Sequence, residues 1–269
     1  MKDILDFLAE LSVNNNREWF AENKAWYQRC YARFVDFSTE YIHRLTEIDP
    51  TLVGLQSKDC IWRIYRDVRF SHDKRPYKEW FGVFPATGVP GQPKTWGKHS
   101  MRGGYYMHLQ PGQCMFAAGI WDPGKELLTA LRKEIEANYE EVEDIMAARE
   151  WQRYFGQDFD TQWGVLKKAP TGFDPEFKHI DWLKHKTFTV STPLTDAQVC
   201  APDFMDHLIE IAAAAKPMLR ARILTQTRFL CKNAKPAILC APVVSASFVS
   251  HFRFGSRFGS TPYLASLYP

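Results

Sequence analysis

The sequence predicts an α+β fold: a single domain over residues 1–216, with a central, mostly antiparallel or mixed sheet flanked by helices, followed by an atypical C-terminal tail. Three observations predict it. Helical apolar stripes occupy both ends of 1–216, strand-like segments cluster between them, and a Pro111-Gly112 turn joins two of those strands into a hairpin. No internal repeat or linker divides this span. A doubly wound parallel sheet would instead alternate strands with helices along the whole chain.

Each element follows from local pattern. Over 3–11, Ile4, Leu5, Leu8 and Leu11 share one helical face. Asn14-Asn15-Asn16 interrupts it, and Asn15 with Glu18 reads as an N-terminal capping arrangement. A long helix follows, its stripe being Phe20, Tyr27, Tyr31, Phe34, Tyr41, Leu45 and Ile48, and Asp49-Pro50 ends it. Residues 60–70 read as a strand. Alternation sets Cys60, Trp62, Ile64, Arg66, Val68 and Phe70 on one face, and Ile61, Arg63, Tyr65, Asp67 and Arg69 on the other.

Beyond Pro76 come a short apolar segment at 80–84, a Gly/Pro-rich stretch, and strands at 104–110 and 114–121. Asp122 as N-cap and Pro123 as first helical residue open a helix that buries Leu127, Leu128, Leu131, Ile135, Val142 and Ile145. A short helix at 180–184, a strand at 187–190 and a last helix from Pro202 complete the domain.

Charge narrows the function. The chain of 269 residues holds 34 Lys plus Arg against 31 Asp plus Glu, a net of +3. Seven of those basic residues and no acid lie in 217–269, so 1–216 carries 27 basic against 31 acidic residues, a net of −4. Nucleic acid is therefore an unfavoured partner of the domain. The tail reads as out-of-frame or disordered sequence, with a basic arm for an acidic partner as the competing reading. Its apolar stretch at 237–249 is too short to span a membrane and contains Pro242. The charged N-terminal residues do not form a signal peptide, and six cysteines stand singly without a C-x-x-C pair. Both point to the cytoplasm.

Dinucleotide, P-loop, H-E-x-x-H and G-x-S-x-G motifs are absent, so no cofactor is expected. His179 and His185 do not have metal-ligand spacing, and no metal is expected either.

One segment concentrates chemistry. Eight of the sixteen residues 63–78 are Lys, Arg or Asp, interleaved with apolar and aromatic residues rather than forming a solvated run. Arg66 points into an otherwise apolar row, where a guanidinium needs a partner or an anion. Two readings follow. In the first, Arg63, Arg66, Arg69, Lys74 and Lys78 bind the phosphate or carboxylate of a small molecule, and Arg132 reaches the same site. Asp67, Asp73, Tyr77 and His108 then orient groups or transfer protons as the catalytic set of an enzyme. In the second, the Arg/Asp cluster is a structural salt-bridge network inside a non-catalytic protein-interaction module.

The motifs Asn15-Asn16-Arg17-Glu18-Trp19-Phe20, the 63–78 run, Gly104-Tyr-Tyr106-Met-His108-Leu109, Gly119-Ile-Trp-Asp-Pro123, Arg132 and Lys168-Ala-Pro170-Thr-Gly172-Phe173 occur in order. Together they resemble a bacterial and fungal family, domain-of-unknown-function family twenty-four sixty-one, over nearly all of 1–216. The resemblance implies no activity, substrate or cofactor. It does imply a domain that closes near Lys216-Pro217-Met218, where the composition changes.

Overall fold

A computed structural model describes residues 1–69, 71–88 and 92–221. The tail beyond 221 and Phe70 lie outside the described residues, and so do the expectations placed on them. The chain begins with α1 (Lys2–Val13), α2 (Arg17–Glu22) and α3 (Lys24–Ile48). α1 buries Ile4, Leu5, Phe7, Leu8 and Leu11 against α3, as its stripe requires. The cap of α2 is Asn16, whose side chain accepts the Trp19 N–H at 2.8 Å. Asn15 is free to reach elsewhere. The expected long helix is divided at Asn23, which ends α2 and precedes α3.

Four strands, β1 (Phe81–Val83), β2 (Gly104–Leu109), β3 (Cys114–Ile120) and β4 (Phe188–Leu194), pair in chain order, and every pairing is antiparallel. The fold is α+β. Register places Tyr106 opposite Ala117 and Ala118 opposite Val190. Tyr105, Met107 and Leu109 of β2, with Phe116, Ala118 and Ile120 of β3, enter the main core. That core is closed by the helices, including α10 (Phe204–Arg220), which buries Leu208, Ile211 and Ala215 and packs on β3. Tyr106, Met115 and Ala117 point the other way and form a second cluster with Phe84, Ala86 and Trp62.

Residues 60–70 depart from expectation. Ser57–Cys60 is a helical turn, α4, and only Ile61 and Tyr65 make isolated bridges, to Val83 and Tyr77. The alternation survives without the ladder: Trp62, Ile64, Arg66 and Val68 turn inward while Arg63, Tyr65, Asp67 and Arg69 are exposed. One edge still bonds to 76–84, Trp62 N–H donating to Gly82 O at 3.3 Å and Arg66 N–H to Pro76 O at 2.9 Å, but the two bridges differ in register by two residues, which interrupts a continuous ladder. Lys98 Nζ donates to Ile61 O at 3.0 Å, and Lys78 Nζ donates to Arg63 O and, at 3.2 Å, to Tyr65 O. Two ammonium groups thus cap the carbonyls of Ile61, Arg63 and Tyr65, which do not serve in those bonds.

The helix expected from Asp122 also differs. Asp122 adopts a left-handed φ of 42°, Gly124 is the N-cap, and α5 (Lys125–Ala137) ends at Asn138 before α6 (Tyr139–Ala147) and α7 (Arg149–Tyr154). α8 (Ile180–Lys184) falls where the pattern put it. α9 (Asp196–Cys200), unanticipated, is nucleated by a Thr195/Gln198 capping box. α10 continues past the 216/217 boundary to Arg220. There Arg220 meets Asp49, a buried carboxylate that also accepts the Tyr105 hydroxyl at 2.9 Å. Among the described residues no helix is long and apolar enough to cross a membrane.

Candidate functional site

The 63–79 segment folds as a loop stitched by its own charges. Arg66 Nη1 donates to Asp73 Oδ2 at 2.7 Å, and this pair is largely buried. Arg75 grips the same carboxylate through Nε and Nη2 and extends to Glu79, which Asn15 Nδ2 also meets at 3.0 Å. Asn15 clamps both backbone groups of Tyr77 as well, each at 3.1 Å, tying the loop to the start of α2. Arg75 and then Arg66 hold the Asp73 carboxyl well below the usual carboxylate range. At the exposed edge, Arg69 takes Asp67 in a bidentate pair of 3.0 and 2.6 Å, which lowers the Asp67 carboxyl to about 2. Lys74 caps Val68 O at 2.9 Å. Tyr77 is buried, stacked on Phe20 with centroids 3.9 Å apart, and burial raises its hydroxyl pKa.

Lys78 differs from these pairs. It is 5% exposed, its Nζ bonds only backbone carbonyls, and it lies 5.5 Å over the Trp80 ring. Burial, and then the positive charges of Arg63, Arg66 and Lys98, push its ammonium down to about 7. No carboxylate is among the charges bearing on it.

Trp80 connects this corner to the second face of the sheet. It packs 5.1 Å from the His108 ring, and Trp62 meets Tyr106 edge-on at 5.6 Å. Gly82 makes the layer possible: a Cβ there would stand 2.9 Å from both the Trp80 ring and the Tyr106 hydroxyl. His108 is fully buried between Tyr106 Oη at 2.7 Å and Gln110 Oε1 at 3.0 Å. Burial lowers its pKa to about 4, so the ring is neutral at pH 7. Arg132 does not join this site. It is buried on α5, donating to His185 O at 3.0 Å, while Leu127, Leu131 and Ile135 of the same helix enter the main core on the opposite side of the sheet.

Farther along the second face, a narrow hollow with a cavity volume of only about 20 Å³ is lined by Phe84, Tyr106, Trp121, Trp163 and Asp160. Asp160 is tied to β4 by its N–H to Thr189 O at 2.8 Å, and its Oδ1 accepts from Ser191 Oγ at 2.9 Å. Burial raises its carboxyl pKa to about 6. Among the described residues no three His, Cys, Asp or Glu side chains converge as metal ligands.

The sequence profile of the family described as "Conserved hypothetical protein (DUF2461)" matches residues 3–220. The chain belongs to the DUF2461 family. Neither the curated proteins nor the solved structures provide a match to it. The matched span of this DUF2461 protein ends where α10 ends, at Arg220.

Of the residues singled out by sequence, the DUF2461 fold brings together Arg63, Arg66, Asp73, Tyr77 and Lys78, with His108 one aromatic ring away. Asp67, Arg69 and Lys74 sit on the outer edge of the same loop, and Arg132 is elsewhere. Asp160 escaped sequence reasoning. Its signal was slight, an acid between Phe159 and Trp163, and only the placement of Phe159 in the main core turns Asp160 toward the hollow.

Proposed function

We propose that this DUF2461 domain binds an anionic small molecule, a phosphate or a carboxylate, at Arg63, Arg66 and Lys78 beside Trp62 and Trp80. One observation carries it: a buried ammonium held by backbone carbonyls, on which the charges of Arg63, Arg66 and Lys98 bear. Such a group is costly until a negative charge meets it, and Arg supplies the planar donors that phosphate and carboxylate prefer. Binding is favoured over proton transfer on physical grounds. Asp67 and Asp73 titrate far below neutrality, His108 at about 4, and Tyr77 above its ordinary value. A reducing, cytoplasmic setting is part of the proposal, supported by free Cys30, Cys60, Cys114 and Cys200.

The mutual pairing of Arg66 with Asp73 and of Arg69 with Asp67 favours a second reading, a non-catalytic interaction module with a structural ion network. Thermal melts of the full chain in phosphate, pyrophosphate and citrate, against chloride at matched ionic strength, separate the two. Anion binding predicts a concentration-dependent rise in Tm that Arg63→Ala abolishes and Lys78→Met weakens. If no anion outperforms chloride, or Arg63→Ala responds like wild type, the anion reading falls and the interaction module stands.

A further inference from the structure

We infer that the anion site is proton-coupled: Lys78 takes up a proton from solvent as the anion binds, so the anion is held at acid and neutral pH and released as the pH rises. This regulation rests on the anion reading proposed above, and it can fail while that reading stands.

Hydrogen-bond geometry comes first. An ammonium has three N–H donors, and a neutral amine has two. Among the described residues Lys78 Nζ finds two acceptors, the carbonyls of Arg63 and Tyr65, the latter at 3.2 Å. The Trp80 ring stands 5.5 Å away, near the outer limit at which an aromatic face attracts a cation. Lys78 is buried, so little water reaches the third donor position. The free site therefore matches an amine, and an anion brings the acceptor that the third N–H of an ammonium requires.

Charge points the same way. Arg63 and Arg66 bear on Lys78 from the facing segment and Lys98 from the 97–99 turn, and all three are positive. The carboxylates nearby answer to other groups: Asp73 pairs with Arg66 and Arg75, Glu79 with Arg75 and Asn15, and Asp59 bears on Lys98. Arg17 and Glu18 of α2 bear on Tyr77. Behind Trp80, His108 is neutral at pH 7. Burial and the three cations bring the Lys78 ammonium to about 7, so both of its forms are populated near neutrality. A bound anion offsets the cations and favours the ammonium. Above pH 7 the free site is then mostly amine while the bound site is still ammonium, so binding takes up a proton and affinity falls with pH. Below pH 7 both are ammonium and affinity is level. The proton adds to the nitrogen lone pair, and no bond of the anion changes. Lys98 also bonds two carbonyls, of Lys58 and Ile61, but Asp59 opposes its loss of charge.

The test uses the full chain and sulfate, an oxyanion whose own charge is constant from about pH 6 to about pH 9, at fixed ionic strength. Titration calorimetry gives Kd across that range and, from buffers of differing ionisation enthalpy, the protons taken up. The expected Kd is level from about pH 6 to about 7 and rises about tenfold by about pH 9. Proton uptake should exceed about one half at pH 8 and approach zero at pH 6. Lys78→Arg, which keeps its charge, should bind sulfate without a pH slope, and Lys78→Met should bind it weakly and without one. Lys98→Arg should keep the slope. Should neither Lys78 variant fold or bind, the wild-type Kd and proton count, with Lys98→Arg, decide the matter. A Kd that ignores pH, a slope that survives in a folded Lys78 variant, or a slope lost in Lys98→Arg would each overturn the proton coupling and leave anion binding standing. Absence of sulfate binding at every pH would overturn both.

Discussion

The two faces of the sheet are built by alternate residues of the same strands, yet they meet different physics. Tyr105, Met107, Phe116 and Ala118 look into a helix-covered core whose buried acid, Asp49, is fully engaged by Arg220, Thr51 and Tyr105. Tyr106, His108, Met115 and Ala117 look into a thinner cover of aromatic side chains from 62–88. On the first face this acid ties the end of α10 to the end of α3. The second face holds Asp160, whose carboxylate accepts from Ser191, and borders the buried Lys78 ammonium, whose bonds go to backbone carbonyls.

Substitutions that discriminate between the faces test this division. The largest loss is expected at Asp49→Ala. Burial alone would raise that carboxyl, but Arg220, Thr51 and Tyr105 outweigh it and hold it below its usual value. Removing the carboxylate strands Arg220 and should cost about 3–5 kcal/mol in urea unfolding. A loss under about 1 kcal/mol would show that the helix face does not depend on this cluster.

On the second face, His108 makes stability fall with acid. Its folded pKa of about 4 lies below the unfolded value of 6.5. Between these values the unfolded chain binds more protons, so the contribution is full above pH 6.5 and is lost as pH falls toward 4. The full difference is on the order of 3 kcal/mol. Urea melts across that window should show a shallower slope for His108→Gln than for wild type; identical slopes would refute a buried neutral imidazole.

Smaller effects separate the inner and outer halves of the charged loop. Asp73→Asn leaves the half-buried Arg66 without its carboxylate and should cost about 1.5–3 kcal/mol. Asp67→Asn removes a solvent-exposed pair and should leave the melting temperature unchanged. If Asp67→Asn destabilised as much as Asp73→Asn, the loop would be a single cooperative network rather than a clamp with a loose edge.

Local pattern carried much of this fold. The hairpin of β2 and β3 was legible because Pro111-Gly112 punctuates two alternating segments, and α10 because Phe204, Leu208, Ile211 and Ala215 recur at helical spacing. Helix breaks at Asn23 and Asn138 were not legible, since asparagine within a continuing stripe does not announce a stop. At 62–69 the in-and-out alternation was right and the sheet membership wrong. Side-chain periodicity reports burial, while a continuous ladder needs a constant register, and the bridges Ile61↔Val83 and Tyr65↔Tyr77 differ by two residues.

The sites divide in the same way. Sequence alone determined that the positive charge of interest is local, on 63–78, within a domain whose net charge is −4 rather than the +3 of the whole chain. Composition and spacing are sufficient for that, because they count charges without needing their partners. Only the tertiary structure decided which of those charges are spent on each other, separated Arg132 from them, and turned Asp160 into the hollow. Partnership between residues distant in the chain is set by strand register and by which side chain the core claims first, and neither quantity is written in any local stretch of sequence.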